Sequence, residues 1–107
     1  MNRKPIRLKS KAVGDVETAL SYLLQESAEK AALGLISALQ KTYTHIQSHP
    51  STGSSRIAHE LDLPGLRTWP VHRFPYLVFY LEQEQHIEIW RVLHTHRDIP
   101  SLFTTPH

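Results

Sequence analysis

The sequence predicts an α+β fold: an N-terminal strand, a helical hairpin, then a largely antiparallel three-stranded meander that completes a four-stranded sheet. Three observations predict it. Apolar residues between Val13 and Ile46 recur every three or four positions, which is the period of a helix. Two dense apolar runs, 76–81 and 87–94, are joined by the short polar link 82–86, the pattern of an antiparallel hairpin. A length of 107 residues suits one domain with one core, so 1–107 is read as a single unit.

Each element follows from local chemistry. Residues 5–9 alternate Ile6 and Leu8 with Arg7 and Lys9, a short half-buried strand started by Pro5. Ser10 is the expected N-cap of a first helix over 11–25, with Val13, Val16, Leu20, Leu23 and Leu24 as its apolar stripe and Asp15 and Glu17 in its early turns. Ser27 is the expected cap of a second helix striped by Ala32, Leu35, Ile36, Leu39, Tyr43 and Ile46, and Pro50 ends it. Gly34 inside it suits close approach of the first helix. Residues 50–55 are loop chemistry, and 56–63 fit either a helical turn or irregular chain. Pro64-Gly65 marks a turn into a strand over 66–71, bent at Pro70. The run 76–81 places Leu77, Phe79 and Leu81 on one side and Tyr76, Val78 and Tyr80 on the other. Two helices cover only one face of such a sheet, so an external partner is expected on the other.

Bulk properties narrow the function. A formal charge of +2 is too small to make a nucleic-acid binder by itself. The absence of cysteine excludes disulfides and thiolate chemistry. Residues 1–11 lack the apolar run of a signal peptide and no stretch is long enough to cross a bilayer, so a soluble cytoplasmic chain is expected. There is no G-x-S-x-G elbow and no phosphate-binding loop. His94 and His96 with Asp98 lack the further ligands of a metal centre, and no metal or cofactor is expected. Arg67, Arg73, Arg91 and Arg97, with His94 and His96, are the groups that could bind a carboxylate or phosphate or trade a proton.

The pair Leu66-Arg67 with Val71, the run FPYLVFY at 74–80, and RVLHTHRDIP at 91–100 resemble the C-terminal half of ParE-type toxins of bacterial toxin-antitoxin pairs, within the RelE/ParE superfamily. The helical hairpin and HPSTGSSR at 49–56 fit the same family. The resemblance implies a toxin that arrests growth by poisoning DNA gyrase and that a cognate acidic antitoxin neutralises. The RelE branch instead cuts ribosome-bound messenger RNA. It carries an arginine where this chain has Tyr76 and a tyrosine where it has Phe103, and only Arg97 is kept. A phenol lacks the fixed charge and a phenyl ring cannot move a proton, so a binding toxin without catalytic residues is expected. The alternatives are a nuclease using Arg97 with His94 or His96, and a degenerate non-toxic antitoxin-binding protein. Target contacts are expected at Arg67, Arg73, Trp90, Arg91 and Arg97. Antitoxin contacts are expected at Leu20, Leu24, Tyr76, Val78 and Tyr80. Neither a membrane nor direct nucleic-acid binding is implied, and a homodimer or larger toxin-antitoxin assembly stays open.

Overall fold

A computed structural model describes residues 3–95. Strand β1 (Ile6–Leu8) leads into helices α1 (Ser10–Gln25) and α2 (Glu29–Ser48). A 3-10 turn (Pro50–Thr52) and a short helix α3 (Arg56–Leu61) precede strands β2 (Leu66–Pro70), β3 (Tyr76–Glu82) and β4 (Ile87–His94). The sheet order is β1-β4-β3-β2. The three later strands form the expected antiparallel meander, while β1 runs parallel to β4, which reaches it only after the helices and the other two strands have been laid down.

Two helix starts differ from expectation. Ser10 is the first residue of α1 and makes no capping bond, and α2 starts at Glu29 after Ala28, so Ser27 does not cap it. Ser27 instead closes α1. It takes a left-handed backbone, φ 55°, its N–H donates to Leu24 O at 3.0 Å, and the Ala28 N–H donates to Leu23 O at 2.9 Å. That bonding pair is the Schellman closure, which satisfies two orphan carbonyls of α1 and reverses the chain into α2.

Both faces of the sheet are covered by the chain itself. Ala12, Ala19, Leu35, Leu39 and Ile46 from α1 and α2 pack with Val78, Tyr80, Ile87, Ile89 and Val92 in the main core. Each large aliphatic side chain buried there contributes roughly 1.5–3 kcal/mol. On the opposite face, Ile57 and Ala58 of α3 pack with Leu66, Phe79 and Leu93. The face expected to wait for an outside partner is therefore closed by α3, the segment whose sequence was ambiguous. Val78 and Tyr80 are 0% exposed, so no docking partner reaches either, contrary to expectation. The stripe of α1 is also displaced: Val13 and Leu24 are exposed, and Ala12 and Ala19 take the buried positions.

Two small features set the geometry of the site. The register of β3 against β4 shifts between Phe79, opposite Arg91, and Tyr80, opposite Ile89, so Trp90 is an extra residue in β4. This bulge reverses the alternation, which is why Ile87, Ile89 and Val92 all face the main core. Gly34 makes its close approach to Phe74 rather than to α1: a Cβ there would lie 3.4 Å from the Phe74 ring.

Candidate functional site

Strand β1 pairs with β4 only at Ile87–Ile89, while β4 continues to His94. Past the bulge, the outer edge of β4 faces α1. There the Val92 N–H donates to Asp15 Oδ2 at 2.9 Å. Arg91 donates to the same carboxylate from Nε at 2.8 Å and from Nη2 at 2.9 Å. The two side chains are 18% and 13% exposed, and these hydrogen bonds raise the guanidinium pKa above its ordinary value. An open groove of about 580 Å³ runs alongside, lined by Thr18 and Tyr22 of α1, the Phe74-Pro75-Tyr76 segment, and Arg91, Val92 and His94. The His94 ring meets Tyr76 edge-on, with centroids 5.3 Å apart. The groove therefore combines aromatic walls with hydroxyl and imidazole groups and a guanidinium already paired with Asp15.

The sequence candidates fall into separate places. Tyr76, Arg91 and His94 meet in the groove. Arg67 lies on β2 and donates from Nη1 to Gly53 O at 2.7 Å, fastening the loop after the 3-10 turn. Arg73 is exposed in the β2–β3 loop, where its φ of 70° turns the chain. Trp90 packs beside Leu77 and Leu93 on the α3 face, donates to Glu88 Oε1 at 3.0 Å and lies under Lys9 Nζ at 5.2 Å. The Trp90 bond, with weaker ones from His86 and Gln83, lowers the Glu88 pKa. Leu20 is half-buried against the main core, and Leu24 is 55% exposed at the tip of the hairpin. Arg97, His96, Asp98 and Phe103 lie outside the described residues. Among the described residues the arginines do not form one surface: Arg67 and Arg91 are each bound within the fold, on strands separated by β3.

The residue that sequence reasoning passed over is Asp15. Its position near the start of α1 suggested a charge placed for the helix dipole, but it lies beyond the first turn and its oxygens are turned to β4. No local signal pairs it with Arg91. Thr18, Tyr22 and Phe74 were missed for a related reason, since a groove between a helix flank and a strand edge has no period in sequence.

Among the described residues no group of three or more potential ligands could hold a metal, and no helix is long and apolar enough to cross a membrane. Over residues 6–99 the chain matches the family described as ParE toxin of type II toxin-antitoxin system, parDE. No curated protein matches it in sequence. Among solved structures it is similar to a chain of the chromosomal ParDE toxin-antitoxin system from P. aeruginosa, with TM-score 0.72, 18% identity, and coverage of 88% of this chain and 98% of the other. At that identity the likeness concerns the fold.

Proposed function

The chain belongs to the ParE toxin family of type II toxin-antitoxin systems, and from that premise we propose that it arrests growth in the cytoplasm by binding and poisoning DNA gyrase, and that a cognate acidic antitoxin neutralises it. The observation that carries the choice of binding over RNA cleavage is Tyr76. It occupies the position at which the nuclease branch has an arginine, and its ring packs against His94. Arg91, which reaches the same groove, is already neutralised by Asp15 and cannot serve as the missing free cation.

Antitoxin binding is supported by the groove and by the apolar side chains the helical hairpin leaves in water. Tyr22, Leu24 and Leu33 are 60%, 55% and 67% exposed. Together they offer an amphipathic partner an apolar area, with Leu20, Leu24 and Tyr76 retained as contacts.

Two assays test the reading. The purified chain should inhibit supercoiling by gyrase and stabilise cleaved DNA; cutting of ribosome-bound messenger RNA with gyrase untouched would overturn it in favour of the nuclease. A small acidic protein should be encoded beside this gene, copurify with the chain and abolish growth arrest; absence of such a gene would count against the toxin reading. Expression without arrest, in cells lacking that protein, would mark a non-toxic relative.

A further inference from the structure

We propose that Trp90, with Lys9 and Arg7 beside it, is a preformed anchor for the toxin's protein target, received there by an apolar pocket rimmed with carboxylates, and that Glu88 holds the indole in position. The inference rests on the preceding reading that the chain acts by binding a target, and adds which face of the sheet it presents.

Alternation places these groups together. Ile87 and Ile89 of β4 and Ile6 and Leu8 of β1 enter the main core, so Glu88, Trp90 and Arg7 stand on the opposite side of the sheet. There α3 rests over β2, and its apolar cluster ends at Trp90, which is partly buried at the margin. Arg7 and Lys9 beyond it are exposed. The extra residue inserted at the bulge is thus a tryptophan at the rim of a core, and bulges are a common means of aiming a side chain for use.

The indole is held on two sides. Its N–H donates to Glu88 Oε1 at 3.0 Å, and Lys9 Nζ lies 5.2 Å from the ring centroid. Glu88 in turn faces His86 Nε2 at Oε2 and Gln83 Nε2 at Oε1, each at 3.4 Å. An indole that is already ordered loses little freedom when a partner closes over it, and tryptophan is among the side chains that carry most binding energy at interfaces.

Charge selects the class of occupant. Neither Arg7 nor Lys9 makes an ion pair among the described residues, so the rim of the patch calls for carboxylates on the partner. Glu88, 23% exposed, sits between them and Trp90 and repels a phosphate backbone, whose charges come in an unbroken row. A protein can set single carboxylates over Arg7 and Lys9 and leave Glu88 alone. That difference favours a protein over a nucleic acid.

The test uses the full chain and gyrase, the target on the preceding reading. Hydroxyl-radical footprinting should find Trp90 oxidised in the free wild-type chain and protected in the complex. Dissociation constants follow from surface plasmon resonance. Trp90→Ala should weaken binding about thirtyfold. Glu88→Ala should weaken it about tenfold by freeing the indole, and Glu88→Gln, whose amide oxygen still accepts the N–H, should recover most of that loss. A Glu88 that acted only through its charge would give tighter binding of an acidic partner in both variants, so tighter binding by Glu88→Ala overturns its positioning role. Trp90 left open to oxidation in a wild-type complex that inhibits supercoiling overturns the proposal and leaves the preceding reading standing, a measurement that needs no variant to fold. Protection of Trp90 by the antitoxin, by nucleic acid or by a second copy in place of gyrase overturns it as well. A wild-type chain that binds no gyrase removes the preceding reading and this inference with it.

Discussion

Asp15 on α1 and Arg91 on β4, 76 residues apart in sequence, form a two-bond ion pair at 2.8 and 2.9 Å, and the same carboxylate accepts the Val92 N–H. One side chain thus ties the first helix to the last strand where β1 has ended. Asp15→Ala leaves a mostly covered guanidinium and an edge amide without their acceptor. We expect a loss of about 2–3 kcal/mol in urea unfolding, below the figure for a fully buried pair because both groups retain some solvent. The loss should persist at high salt, since a covered pair is screened less than a surface one.

The Tyr80 hydroxyl donates to Pro50 O at 2.7 Å and accepts the Gly53 N–H at 3.1 Å, pinning the loop after α2 to the middle of β3. Tyr80→Phe keeps the packing and leaves both backbone groups without this partner, so it should cost about 1–3 kcal/mol by chemical denaturation. Gly53→Ala should cost more, because a Cβ there collides with the Tyr80 hydroxyl and lies 2.9 Å from Thr68 O.

The Tyr43 hydroxyl is buried with no hydrogen-bond partner among the described residues, and burial pushes its pKa from 10.0 up to about 12. Tyr43→Phe removes an unsatisfied polar group and should stabilise the chain by about 1 kcal/mol at neutral pH. The neutral phenol is the form the fold prefers. Its contribution is therefore complete below pH 10, the unfolded value, and is lost as pH rises through about 12. The advantage of Tyr43→Phe should accordingly widen over that window in thermal melts.

Ser27 holds a φ of 55°, a region that penalises side chains other than those of Gly and Asn. Ser27→Gly keeps the Schellman bonds and relieves that strain, partly offset by the greater freedom of glycine in the unfolded chain. The net gain should be about 0.5–1 kcal/mol, visible as a higher melting temperature. Ser27→Val should lower it.

The strands and the helical hairpin were legible because their signals are local. Alternation set β1 and β4, and the three-to-four spacing through Leu35, Leu39 and Ile46 set the buried face of α2, although Ile36 of the expected stripe is exposed and Ala38 and Thr42 are buried instead. Pro64 and Gly65 encoded their turn directly, and Gly65 takes the positive φ of 87° that such a turn needs. The errors have a common origin. Small alanines, Ala12 and Ala19, are buried under α1 in place of the larger Val13 and Leu24, because close contact with a sheet rewards small side chains and a hydrophobic count does not. The short helix α3 was ambiguous because six residues provide too little periodicity to declare a helix.

By itself, then, the sequence determined the order of elements, the amphipathic face of α2 and the family to which the chain belongs, because each is written in neighbouring residues or in ungapped motifs. Only the tertiary structure decided which groups meet. The single extra residue Trp90 reverses the pleat of β4 and turns the Val92 N–H towards α1, and that reversal brings Asp15 and Arg91 together. A bulge leaves no mark in hydrophobic alternation that a reader can separate from ordinary variation. A strand edge has no sequence at all, since it is defined by where the neighbouring strand stops.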